Sequence, residues 1–176
     1  MTTTQKPDQA QKQTQSEAKS RPEFIYVTYI ATTREKLWQA LTDGEFTQKY
    51  WGDRAVASDW QVGSPVLFRR TAHQNEPDVV RARVLEIDPP KYLAMSWAYE
   101  LTPGVPETPA SKVTYTLQNA GPENVKLTVV HEVWEPGSTV DQGLMDGWSA
   151  ILSSLKTWLE TGDSLEITKR WVREGR

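Results

Sequence analysis

Two segments late in the chain carry the clearest alternation of apolar and polar positions. In residues 124–134, Val125, Leu127, Val129, His131 and Val133 fall on one face at a period of two, while Lys126, Thr128 and Glu132 take the other. That is the pattern of a strand with one buried face, and the face includes a histidine. After a break at Glu135-Pro136-Gly137, Leu144, Trp148, Ile151, Leu152, Leu155 and Leu159 recur at helical spacing, and Gly162 supplies a stop. A curved sheet closed by one long helix is the packing these segments predict, and such a pair can enclose a pocket.

Upstream, residues 24–30 (Phe-Ile-Tyr-Val-Thr-Tyr-Ile) are dense in β-formers on both faces and predict a well-buried strand. Thr32 with Glu35, and Thr42 with Glu45, have the spacing of capping boxes. They predict two short helices, the first with Leu37, Ala40 and Leu41 on its apolar face and the second running through Phe46 to about residue 50. From Trp60 onward the pattern turns to strands, at residues 66–69, 79–87, 92–99, 111–117 and 124–134. They are separated by turn-rich stretches such as Asp88-Pro89-Pro90-Lys91 and Asn119-Ala120-Gly121-Pro122. Connections of this kind predict an antiparallel meander. The expected organisation is a polar, disordered tail at residues 1–21, one domain at 22–162, and a charged extension at 163–176 with Leu165, Ile167 and Trp171 as docking points. The fold class is α+β.

Composition narrows the function. The net charge is −3 with both signs interspersed, so no basic stripe points to nucleic acid and no polybasic cluster to a membrane surface. The absence of cysteine removes thiolate chemistry and fits a reducing compartment. No segment reads as a signal peptide or a membrane span, and a cytoplasmic protein is expected. Two separated histidines, His73 and His131, make no dedicated metal site, and no cofactor is expected.

The order of strand, two short helices, meander and long helix resembles the Bet v 1-like or START-like (SRPBCC) superfamily. Local strings narrow the resemblance to the family named for the activator of the Hsp90 ATPase, in its stand-alone bacterial form. They are Ile30-Ala31-Thr32-Thr33-Arg34-Glu35-Lys36-Leu37-Trp38-Gln39-Ala40-Leu41-Thr42-Asp43, Lys49-Tyr50-Trp51-Gly52, Val84-Leu85-Glu86-Ile87-Asp88-Pro89-Pro90-Lys91-Tyr92-Leu93 with Trp97, and His131-Glu132 followed by Gly147-Trp148. The resemblance implies a helix-grip fold with a cavity between the sheet and the C-terminal helix. It carries no universal catalytic motif, so it transfers a fold and a pocket better than a reaction.

Candidate chemistry is therefore sought on the expected cavity wall. Trp51, Met95, Trp97, Tyr115, His131, Met145 and Trp148 are the residues placed there, a lining suited to flat or apolar ligands. His131 either orients a ligand or moves a proton, or is a core histidine satisfied by neighbouring groups. Arg81 and Arg83 alternate with apolar residues in a strand that carries Glu86 on the opposite face, so one ionisable group points inward unless a bulge intervenes. Asp146 is a further polar candidate at the cavity mouth. The leading expectation is a protein that binds a small hydrophobic or aromatic molecule. The alternatives are a cyclase, aromatase or hydrolase using the same cavity, and a modulator of an Hsp90-type chaperone. Homodimerisation through a strand edge or residues 165–171 is left open.

Overall fold

The computed structural model describes residues 21–70, 80–99, 111–133 and 142–174. Residues 1–20 of the expected tail, His73, residues 100–110 and Trp134 lie outside the described residues, whereas Arg21, expected in the tail, opens β1. The elements run β1 (Arg21–Ala31), α1 (Arg34–Thr42), α2 (Gly44–Tyr50), β2 (Arg54–Ala57), β3 (Pro65–Arg70), β4 (Val80–Asp88), β5 (Tyr92–Tyr99), β6 (Ser111–Asn119), β7 (Asn124–Val133), α3 (Gln142–Thr161) and α4 (Glu166–Glu174). The seven strands form one curled antiparallel sheet in the order β1-β7-β6-β5-β4-β3-β2. The meander is thus consecutive from β2 to β7, and β1 closes onto its last strand. α1 and α2 carry the chain from one edge of the sheet to the other.

The long helix α3 packs against β1, α2 and α4. Its face of Trp148, Ile151, Leu152, Leu155 and Leu159 is buried, as are Val125, Leu127, Val129 and His131 of β7. The two periodic segments of the sequence therefore meet across the core, which gives the α+β helix-grip arrangement.

Four local features differ from the sequence expectation. β1 is buried on one face only: Ile25, Val27 and Tyr29 are 60%, 49% and 57% exposed. The reason is that the inner face of β1 alone meets the core, and the composition of a strand does not reveal whether its other face is covered. The caps sit one residue later than the sequence spacing indicates. Thr33, not Thr32, accepts a hydrogen bond from Lys36 N through its side chain, and Asp43, not Thr42, accepts from Glu45 N. The short strand β2 escaped the pattern, having only four residues and one buried position, Val56. Finally, the charged extension contains α4, in which Thr168 is buried while Ile167, an expected docking point, is 40% exposed.

A bulge settles the charged residues of β4. Pairing with β5 shifts register between Val84 and Glu86, so the inward phase passes from Ala82 and Val84 to Ile87, which packs on the core. Arg83 and Glu86 both end on the exposed face. The extra residue, Leu85, reconciles Arg83 and Glu86 with a single apolar face.

Candidate functional site

The space between the inner face of the sheet and α3 is occupied by large rings drawn from four parts of the chain. Trp51 arrives at the C-terminus of α2, where its N–H still bonds Thr47 O at 2.9 Å. The next two residues, Gly52 and Asp53, have φ of 57° and 66°, a left-handed pair that turns the backbone away into β2. Glycine is favoured at the first of these, since a Cβ on Gly52 would be strained at that φ and would stand 3.3 Å from the Trp171 ring. Phe68 comes from β3, Trp97 from β5 and Trp148 from the first half of α3.

These rings touch one another. Ring centroids lie 4.8 Å apart for Trp51 and Phe68, 5.4 Å for Trp51 and Trp148, 5.0 Å for Trp97 and Trp148, and 5.6 Å for Phe68 and Trp97. Trp51 and Trp97 stack with 15° between their planes at 6.4 Å. Tyr115 meets the Trp148 ring edge-on at 6.3 Å. Mixed edge-to-face and offset geometries are those that aromatic quadrupoles favour.

A hydrogen-bond chain runs along one side of the cluster. Trp148 Nε1 donates to His131 Nδ1 at 3.2 Å, and His131 Nε2 meets Ser111 Oγ at 2.9 Å. Ser111 Oγ in turn donates to the Trp97 carbonyl at 2.9 Å. An indole N–H can only donate, so Nδ1 is the acceptor and Nε2 carries the imidazole proton. Each group then has one role, and every bond points the same way along the chain. Burial lowers the His131 pKa to about 4, because the apolar surroundings disfavour the imidazolium. Burial likewise raises the pKa of Tyr115 and of Tyr50, and the Tyr50 hydroxyl donates to Ala40 O at 2.9 Å.

One buried polar atom in the cluster stands apart. Trp97 Nε1 has no hydrogen-bond partner among the described residues, although the side chain is only 3% exposed.

Of the seven residues placed on the cavity wall by sequence, Trp51, Trp97, Tyr115, His131 and Trp148 are joined by these ring contacts. Met95 is buried on the same face of β5 as Trp97, opposite Val84 and Val113. Met145 lies in the first turn of α3, and its side chain is outside the described set. Asp146 is exposed. Two contributors were missed. Phe68 alternates with Val66 in β3, and that period of two could have revealed it. Ser111 opens β6 and carries no sequence signal, because only the pairing of β6 with β5 and β7 brings it between Trp97 and His131. Among the described residues, no three His, Asp or Glu side chains are grouped to hold a metal ion. No helix among them is long and apolar enough to cross a membrane.

Comparison with known proteins agrees with this architecture. The solved structures that resemble it include the Aha1 dimer from Colwellia psychrerythraea, with TM-score 0.62 and 23% identity over 78% of this chain and 96% of that one. PFC0360w, an HSP90 activator from Plasmodium falciparum, has TM-score 0.60 and 19% identity over 77% of this chain and 94% of that one. CalU16 from Micromonospora echinospora has TM-score 0.59 and 22% identity over 85% of this chain and 81% of that one. At these identities the likeness establishes the fold. A search of curated proteins returned no match. The family model for activator of Hsp90 ATPase homolog 1-like proteins matches residues 31–160, a stretch that begins at the end of β1 and ends within α3. With strands β2 to β7, the two short helices and most of the gripping helix inside that match, the chain belongs to the family of activator of Hsp90 ATPase homolog 1-like proteins.

Proposed function

We propose that this protein binds a small hydrophobic or aromatic molecule between the sheet and α3, at the ring cluster of Trp51, Phe68, Trp97 and Trp148. The observation that supports it is the make-up of that interface. Flat rings from four parts of the chain meet there in tilted and edge-on contacts, and a planar guest that parts them would exchange ring–ring contact for ring–guest contact. Met95 and Tyr115 extend the apolar lining, with Met145 assigned to the α3 side. His131 acts through Trp148, holding that indole in place.

Native mass spectrometry of freshly purified protein, compared with the same sample denatured, tests the proposal. A discrete extra mass retained in the native spectrum is the expected result. A bare protein mass, together with no thermal stabilisation by a panel of flat apolar compounds, would sink it. A ligand present at a hundredfold excess over its Kd should stabilise the fold by about 2.7 kcal/mol.

A cyclase or hydrolase reading has less support, because an acid or base at His131 would have to break a bond it already makes. Both ring nitrogens are engaged by protein groups, whereas general acid–base catalysis needs a free lone pair or proton within reach of substrate. Modulation of an Hsp90-type chaperone is the second reading, supported by the family and by the description of the Plasmodium relative. It predicts a changed ATPase rate when this protein is added to such a chaperone, and an unchanged rate at saturation would remove it.

A further inference from the structure

Trp97 Nε1 is a buried donor whose neighbours are all committed. Trp148 Nε1 is spent on His131, His131 on Trp148 and Ser111, and Ser111 on the Trp97 carbonyl. None of them bonds the Trp97 indole N–H. Leaving a buried N–H unpaired costs about 1–3 kcal/mol, and buried polar groups in native proteins are almost always satisfied. The orphan therefore marks a point at which a guest molecule gains more than apolar contact.

The chemistry of the guest follows from what surrounds that point. An indole nitrogen donates and cannot accept, so the guest must offer an acceptor. A carboxylate or phosphate is the less favourable acceptor, since the rings in contact with Trp97 are those of Trp51, Phe68, His131 and Trp148, and the nearest arginines on the inward phase of the sheet, Arg70 and its pairing partner Arg54, stand on β3 and β2 and are engaged by other groups. An isolated buried anion costs far more than one hydrogen bond returns. A hydroxyl would accept but would bring its own proton, which needs a second acceptor that a carbonyl or ether oxygen does not. An oxygen that accepts without donating and carries no charge makes the fewest demands on this site, as in a ketone, quinone, ester or ether.

We infer that the ligand of this site is an uncharged, planar molecule bearing a carbonyl-type oxygen that accepts a hydrogen bond from Trp97 Nε1. The inference rests on the binding function proposed above and adds to it the one polar feature by which a ligand is chosen over a plain hydrocarbon.

The matched probes 1-indanone and indane, which differ by one carbonyl, test it against the wild-type protein and Trp97→Phe. In the wild type, indanone is expected to move the Trp97 indole proton downfield in a proton–nitrogen NMR titration, and indane to leave it near its free position. That resonance is assigned by its loss in Trp97→Phe or by its nuclear Overhauser contacts to Phe68. The ratio of the indane Kd to the indanone Kd is expected to fall about tenfold in Trp97→Phe, the size of one net hydrogen bond. Binding of both probes with an unmoved indole proton and an unchanged ratio would overturn the inference and leave the binding function standing. Failure of both probes to bind at millimolar concentration would overturn the two together. If Trp97→Phe does not fold, the wild-type titration decides alone.

Discussion

Trp148 on the gripping helix donates its indole proton to His131 Nδ1 on the last strand, across 3.2 Å of buried space. This one bond ties α3 to β7 and fixes the imidazole tautomer. It also places the two most informative residues of the sequence pattern in direct contact.

The tautomer can be read directly. Nitrogen-15 NMR of the imidazole should show the proton on Nε2, with the neutral form persisting to about pH 4. Replacing His131 by Phe leaves Trp148 Nε1 and Ser111 Oγ without their partner. A loss of about 1–3 kcal/mol is expected in urea unfolding, from the buried indole N–H left unpaired, since Ser111 Oγ keeps its bond to the Trp97 carbonyl. An imidazole that titrates near 6.5 would contradict the arrangement.

Acid stability follows from the same burial. The unfolded chain takes up a proton at His131 near pH 6.5, whereas the native state resists until about pH 4. Between those values the unfolded state binds more protons, so stability falls as pH falls through this window. The total loss is on the order of 3 kcal/mol at the usual conversion from pKa to free energy. Unfolding free energies measured from pH 7 to pH 4 should show this slope in the wild type and lack it in His131→Phe.

The exposed edge of β1 is clipped by α3. Lys156 Nζ donates to Tyr29 O at 2.8 Å and Glu160 Oε1 accepts from Ala31 N at 2.8 Å. The Ala31 N–H, followed by Lys156, holds the Glu160 carboxyl below its usual pKa. Charged side chains that occupy edge groups discourage strand addition by another chain. The double variant Lys156→Ala, Glu160→Ala is expected to lose about 1–2 kcal/mol and to self-associate more than wild type in analytical ultracentrifugation. An unaltered sedimentation profile would argue against the protective role.

Ser154 holds α4 in place. Its hydroxyl accepts from Leu165 N at 3.1 Å and lies 2.9 Å from Thr168 Oγ1, which donates to Leu165 O at 3.0 Å. The consistent direction has Ser154 donating to Thr168, so every proton is used. Ser154→Ala should raise amide exchange across residues 166–174 while the strands stay protected. Uniform exchange across the molecule would mean that α4 is part of the global unfolding unit.

Gly52→Ala is expected to destabilise by about 1–3 kcal/mol, because a side chain at positive φ is strained and its Cβ would crowd Trp171. Thermal denaturation measures the loss, and an unchanged Tm would mean that α4 shifts to make room.

The sequence alone determined the order of the elements and the inward faces of the longest ones. A period of two in residues 125–131 and of 3.6 in residues 148–159 depends only on backbone geometry, which is local. For the same reason Trp97, Tyr115, His131 and Trp148 could be assigned to inward faces before any contact was known, whereas no periodicity places Trp51. The tertiary structure decided what depends on register and neighbours. The exposure of Ile25, Val27 and Tyr29 follows from the outer face of β1 being left uncovered, which only the packing of the whole sheet reveals. The bulge at Leu85 turns Arg83 and Glu86 outward together, and a single strand's alternation cannot report an added residue. The partners of His131, Ser111 and Trp148, come from two other elements, and pairing across the sheet and onto α3 is what brings them within hydrogen-bond reach. Faces are thus written in local periodicity, whereas hydrogen-bond direction, edge position and an unpartnered indole exist only once distant segments have met.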